Sequence, residues 1–421
     1  MLLFWYELKK LWNLKVLLLI GALAALAYFA ILRFEINQYN SEHSYGMFGE
    51  YQYEMYTRYG DSLSPAEYED FDVPGKIAEQ IAVLDGIIAS EPTFAKYGIT
   101  CYEDYDRVIG ELTNSYMTDT GRGFQTVFPP EVDYDLGVIA VAISYTPPGA
   151  EDENQHHINV PTIMLLQQLH TVEYYYGTDG VALTYTYDER PVVARRAQKL
   201  LAQPEKSLLD YHFSSEFSTY AAYTAVFAAV VSLLPVALFI TTDRARRVRA
   251  LQYPSKTGRR VFRTQFFACA VSSLAIAAAT ICASYALFFA QSGAAKLLGF
   301  DMMLCGGTFF LYNITVGEYV AVLAGMTAAL CVGSACFAFV LGRFSSDIVS
   351  LLLKAVPVGA AAGFIAMYAV MHALSERNWI FSYPFNGRID AAEVLTAAAF
   401  MLLGLAAAGL VIRREQRAEE I

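Results

Sequence analysis

The stretch Asp243–Arg263 constrains this chain more than any other. Eight of its residues are Lys or Arg and one is acidic, a formal charge of +7. An apolar run lies on each side, Phe217–Ile240 before it and Phe266–Phe289 after it. Each is long enough to cross a bilayer core of about 30 Å. A Lys or Arg at the centre of a membrane helix costs roughly 2.5–3.5 kcal/mol on insertion, and cytoplasmic loops carry the excess of such residues. So short and basic a loop fixes its own side as the cytoplasm. On charge alone it is either a topology anchor only, or also a docking surface for a cytoplasmic partner.

The composition agrees with several spans beside a water-exposed portion. Of 421 residues, 55% are hydrophobic, more than an ordinary soluble chain carries. The net charge of −11 hides an asymmetry, because residues 34–215 hold 29 acidic and 10 basic side chains. An acidic region between two spans, opposite a basic loop, is the pattern of an external domain on a cell membrane. Its acidity excludes nucleic acid as a partner. Of the six cysteines, Cys269, Cys282, Cys331 and Cys336 lie in apolar runs, where small thiols need no special role. Cys101 and Cys305 are placed outward, and their spacing leaves open whether they pair.

Residues 1–15 contain Glu7, Lys9 and Lys10 among leucines and aromatics, which suits a helix lying along the inner leaflet. The first span follows over 16–33, with Val16–Leu32 near the lower length limit. Ala25-Leu26-Ala27 imitates a signal-peptide cleavage site, but the apolar run continues through Leu32 and the extreme N-terminus is aromatic rather than simply basic.

Residues 34–215 are expected to form a mostly helical extracellular domain. Ser64 and Glu67 make a capping box. Ile77, Ile81, Leu84 and Ile88 recur at helical spacing, predicting a helix over Lys76–Ser90. Helices are also expected over Tyr102–Leu112, Pro161–Tyr176 and Val192–Leu201. Strands are expected over Leu136–Tyr145 and Val181–Tyr187, the second for its Thr-Tyr alternation.

Residues 216–421 hold spans two to six: Phe217–Ile240, Ala268–Phe289, Tyr319–Leu341, Ile348–Leu374 and Val394–Ile412. The basic loop is 241–263 and the tail 413–421, with Arg413, Arg414 and Arg417, is cytoplasmic. Gly342–Ser346, with Arg343, reads as a tight inner turn, and Lys354 snorkels to the inner surface. Gly359 and Gly363 form a G-x-x-x-G step and Ala329 and Gly333 a similar one, both read as places of close helix approach. The fold class is thus an α-helical polytopic membrane protein with six spans, both termini inside and the acidic domain outside.

Chemistry of its own is not evident. There is no phosphate-cradling G-x-x-x-x-G-K-[ST] loop, no H-E-x-x-H and no G-x-S-x-G. His156-His157 beside Glu151, Asp152 and Glu153 reads as a solvated loop rather than a metal site. His372 near the outer end of span five is the one histidine in a span, and reads as a hydrated side chain rather than a transport group. No catalytic, cofactor or metal residues are assigned.

The N-terminal helix with Glu7-Leu8-Lys9-Lys10, the large domain between spans one and two, and the basic loop after span two together resemble the type-2 permease family of ATP-binding-cassette transporters. The loop Arg246–Arg260 is similar to the inner loop of such permeases from Gram-positive bacteria, approximating E-x-x-x-G-x-x-x-x-L-x-x-x-P-x-S-R. Asp243 stands near the family's Glu, Leu251, Pro254 and Lys256–Arg259 match the second half, and arginines replace the small residues between. The resemblance implies a bacterial cell-membrane protein that binds a separate cytoplasmic ATPase subunit, with ATP on that partner and no cofactor on this chain. It implies docking through Asp243, Arg244, Arg246, Arg247, Arg249, Leu251, Tyr253, Pro254, Lys256 and Arg259, with Asp243–Gly258 as the coupling helix. Glu7, Lys9 and Lys10 would belong to the connecting helix beside it, and a second permease copy or sister chain would complete the path. Export is the implied direction. The alternative is a membrane-anchored sensor or peptide-resistance module whose acidic domain captures a cationic ligand. A membrane enzyme ranks third, for want of a nucleophile, a metal set or paired acids.

Overall fold

The computed structural model describes residues 2–42, 49–119, 124–144, 160–177, 181–203, 205–209, 211–245, 256–291, 293–302, 310–376 and 388–417. Among these, six helices are long and apolar enough to cross a membrane: Leu14–Asn40, Phe213–Asp243, Val261–Phe289, Val316–Arg343, Ile348–Val370 and Ala392–Arg417. They are spans one to six of an α-helical multi-pass architecture. The chain divides into two compact units. One comprises Met1–Ser44, Ala182–Gln203 and Leu209–Ile421, the other Tyr45–Val181 with Pro204–Leu208.

In the first unit, span four is the hub. It packs against spans two, three, five and six, and small residues make that approach close. A Cβ added at Gly333 would lie 2.5 Å from Phe400 Cδ1, and one at Gly404 would lie 3.0 Å from the Gly333 carbonyl oxygen. Gly359 and Gly363 behave differently from the sequence expectation, because nothing lies within 4 Å of a Cβ at either. Among the described residues, neither glycine of the motif marks a close helix approach.

Two of the helices outrun the membrane. The helix of span two covers Tyr211–Ala245, 35 residues, and that of span three covers Lys256–Phe289, 34 residues. At 1.5 Å per residue each is about 50 Å long against a hydrocarbon core of about 30 Å. Span one is also longer than the apolar run predicted, because helix continues through Arg33–Glu42 by way of a wide π turn at Tyr28–Leu32. The polar extension is held by Tyr39, fully buried and 4.9 Å from the Phe288 ring, and by Asn40, which donates to Gln291 Oε1 at 2.9 Å. Gly342–Ser346 is not a simple turn either. Helix runs on to Arg343, which is buried, and only then does the chain turn into span five, capped by Asp347 on Ser350.

The second unit is a helical cluster built from Glu50–Tyr59, Pro65–Phe71, Val73–Ser90, Pro92–Lys96, Tyr102–Ser115, Pro130–Ile143 and Thr162–Tyr176. Leu84, Ile88, Phe94, Ile99, Ile139, Ile143 and Leu166 form its core. The Ser64–Glu67 capping box is present in full. The strand expected over Leu136–Tyr145 is instead the helix Pro130–Ile143. Pro130 in the first turn and the acids Glu131 and Asp133 favour a helix start, and Asp135, Ile139 and Ile143 then bury one face at four-residue spacing. The second expected strand is also helical, over Val181–Thr186. Its Tyr185 packs against Val193, Ala197, Leu200 and Leu311, a tertiary contact that overrides β propensity. Among the described residues the strands are short, Ser62–Leu63 pairing with Lys206–Ser207 and Met117–Asp119 with Phe124–Thr126. The helix Pro191–Leu201, expected with the acidic domain, packs within the first unit, where Arg196 lies over the Tyr312 ring and reaches Asp390 at 3.1 Å.

Candidate functional site

The site is the end of the bundle from which the basic loop leaves. Two sequence features build it. The helix Leu2–Leu11 turns into span one through Asn13, whose side chain accepts from the Val16 N–H at 3.0 Å. That cap satisfies one of the first-turn amides where the chain changes direction. Its Leu11 is then buried with Phe239, Ile240, Ala268, Cys269, Phe339 and Ile412, and Phe4, Leu8 and Trp12 pack around them. The N-terminal helix is therefore part of the core of this end.

Four charged side chains and one amide connect the elements. Glu7, on the N-terminal helix, accepts from Lys10 Nζ at 2.9 Å and from Gln265 Nε2 at 3.3 Å. Gln265, at the start of span three, also donates to Asp243 Oδ2 at 3.1 Å, at the end of span two. Its carbonyl oxygen accepts from Arg343 Nη2 at 2.8 Å, at the end of span four. Lys10 Nζ stands 3.9 Å from Asp243 Oδ1. Glu7, Gln265 and Arg343 are 3%, 2% and 8% exposed. Among the described residues two carboxylates, Glu7 and Asp243, meet two cations, Lys10 and Arg343, and such pairing is what offsets the cost of taking charges out of water. The Arg343 guanidinium also lies 4.8 Å from the ring centres of both Phe262 and Phe339, a cation–π sandwich that a compact ammonium matches poorly.

Chemically the arrangement is a brace. It ties the N-terminal helix to spans two, three and four within one turn of the basic loop. Close packing extends the brace. A Cβ at Gly342 would fall 2.9 Å from Ile240 Cγ2, so the ends of spans two and four touch directly. Outside the spans, Asp347 is held below the usual carboxylate range by the Ser346 hydroxyl and the Ser350 N–H. Among the described residues no group of His, Cys, Asp and Glu is placed to hold a metal ion.

The sequence-predicted residues fall in three places. Glu7, Lys10 and Asp243 meet in the network, while Lys9 is exposed. Arg244 closes the helix of span two, and Lys256 and Arg259 open that of span three. Arg246, Arg247, Arg249, Leu251, Tyr253 and Pro254, with most of the expected coupling helix, lie outside the described residues, as do His156, His157 and Cys305. Sequence reasoning missed Gln265 and Arg343. The available signal was a polar or charged residue within two positions of the end of an apolar run, where a buried partner is one reason for its presence.

Comparison with protein-family models, with curated proteins and with solved structures finds no match.

Proposed function

We propose that this chain is the membrane subunit of an ATP-binding-cassette exporter, a type-2 permease that carries no ATPase chemistry itself and takes its motion from a cytoplasmic ATPase subunit. The observation that carries this reading is the network of Glu7, Lys10, Asp243, Gln265 and Arg343. A partner pushing on the basic loop moves the ends of spans two and three, and a brace across three spans and the N-terminal helix passes that push on as a rigid body. The arginines of the loop suit carboxylates on the partner. In this reading the protein sits in a bacterial cell membrane with both termini and the loop in the cytoplasm. The acidic unit faces outward, and a second permease chain completes the path.

The test separates docking from transmission. Replacing Arg246, Arg247 and Arg249 with Gln lowers co-purification of the neighbouring ATPase several-fold, while Lys256, Arg259, Arg260 and Arg263 keep the loop inside. Gln265→Leu leaves co-purification intact but lowers ATP-driven flux. Unchanged co-purification in the triple variant contradicts the docking role, and unchanged flux in Gln265→Leu contradicts the transmission role.

A second reading has its own observation. Residues 45–181 hold 23 acidic and 5 basic side chains, beside a groove of about 390 Å³ lined by Val83, Gly86, Ile87, Val141 and Ala142. An apolar groove with Glu91 on its lining, in so acidic a unit, favours capture of a cationic amphipathic ligand. A sensor of this kind binds its ligand with no ATP-driven flux.

A further inference from the structure

The N-terminal helix Leu2–Leu11 has two faces, and the brace uses one of them. Phe4, Glu7, Leu8 and Leu11 follow one another at helical spacing and face the bundle, Glu7 and Leu11 fully buried and Phe4 and Leu8 packed on the core of that end. Leu3, Trp5, Tyr6 and Lys9 occupy the rest of the helix surface. Trp5 is 62% exposed, Tyr6 66% and Leu3 42%, and Lys9 is exposed beside them. Lys9 stands four residues after Trp5 and three after Tyr6, so the three side chains are neighbours on one face.

This apolar surface does not stop where the helix does. Asn13 turns the chain directly into span one, and Leu14, Leu17 and Leu18 are exposed there in their turn. Of the six spans, span one buries the least of its surface in the protein. An exposed apolar face that continues into a membrane span has lipid as its solvent. Its composition fits the boundary layer, because Trp and Tyr collect where one end of the ring is dry and the other wet. A helix with one face on protein and such a face outward lies in the plane of the headgroups.

Charge decides which lipid. Lys10 is committed to Glu7 at 2.9 Å. Lys9 and Lys15 are exposed, and neither pairs with a carboxylate among the described residues. The helix packs against spans two and three. The carboxylates that these elements bring to this end, Glu7 and Asp243, are both held in the brace, and span three adds an exposed Arg263. Lysine stems lie along apolar surface while their ammonium groups reach outward. Basic side chains beside a membrane attract anionic headgroups over zwitterionic ones.

We propose that the outward face of the N-terminal helix is a binding surface for anionic phospholipid, in the leaflet on the side of the basic loop. Leu3, Trp5, Tyr6 and Leu14 seat it against the acyl chains, and Lys9 and Lys15 hold the headgroups. The surface is complete in this chain and requires no ATPase partner.

The experiment uses the full chain in nanodiscs of equal parts phosphatidylglycerol and phosphatidylcholine. Bromine, which quenches tryptophan on contact, is carried on the acyl chains of one lipid or of the other in matched preparations. The fluorescence of Trp5 is the difference between the wild-type chain and Trp5→Phe, a change at an exposed ring that leaves the core intact. Both brominated lipids are expected to quench it, and brominated phosphatidylglycerol at least about twofold more strongly. In Lys9→Gln/Lys15→Gln the quenching remains and the two lipids become equal. Absence of quenching by either lipid overturns the proposal, since protein or water then covers the face. Equal quenching in the wild-type chain also overturns it, as does a preference that survives unchanged in the double variant. If the double variant is not recovered folded, Lys9→Gln alone decides.

Discussion

Gln265 carries no charge, yet three charged side chains bond to it. It donates to Glu7 and Asp243 and accepts from Arg343. Replacing it with Leu leaves two buried charged groups short of a partner, at about 1.5–3 kcal/mol for each hydrogen bond to a charge. Gln265→Leu is therefore expected to lower stability by about 3 kcal/mol, read as a lower thermal midpoint in detergent. Arg343→Lys keeps the charge but loses the planar contact with Phe262 and Phe339 and the reach to Gln265 Oε1. It should recover less than half of what Arg343→Met loses in the same assay. Full recovery by Lys would mean that charge alone holds this corner.

Among the elements, glycines separate packed from open helix faces. Gly333→Ala places a methyl group against Phe400 and should cost about 1–3 kcal/mol by overpacking, with Phe400→Leu as the rescuing change. Gly359→Ala meets nothing within 4 Å and should change stability by less than about 0.5 kcal/mol. Equal effects at the two positions would contradict the packing described. In the acidic unit, Asp104 accepts from Thr100 Oγ1 at 2.6 Å and from Arg107 Nη2 at 2.8 Å. These bonds lower its pKa to about 2. A carboxylate held below its unfolded value adds stability that is present above the unfolded pKa and lost as pH falls through the folded one. The stability difference between wild type and Asp104→Asn should thus be flat from pH 7 to about 4 and shrink between about 4 and 2, as followed by acid titration of near-ultraviolet circular dichroism. What could be read from sequence here was local. The Ser64–Glu67 box and the four-residue spacing of Ile77, Ile81, Leu84 and Ile88 specify helices by neighbours alone. The helix Pro130–Ile143 is not legible from sequence because a run of β-branched residues, which favours strand, follows the proline and acids that start it. The open face at Gly359 could not be read either, since a small-residue step states what can pack and not what does.

For the whole molecule, the apolar runs and the charge asymmetry made the number and order of spans readable. The brace was not, because Glu7 and Gln265 are 258 positions apart in the chain. Such pairings follow from which helix ends arrive together, and no periodicity encodes them. Spans two and three are carried on helices of 35 and 34 residues. Both exceed the hydrocarbon core by roughly 20 Å. The placement of positive charge on one side and the acidic unit on the other is the premise on which docking, coupling and export all rest. Its most direct test is a cysteine-free chain carrying either Ser255→Cys in the loop or Ser115→Cys in the acidic unit, exposed to a membrane-impermeant maleimide on intact cells. Ser115→Cys should label at once and Ser255→Cys only after permeabilisation. Labelling of the loop in intact cells, or protection of the acidic unit, would contradict the account.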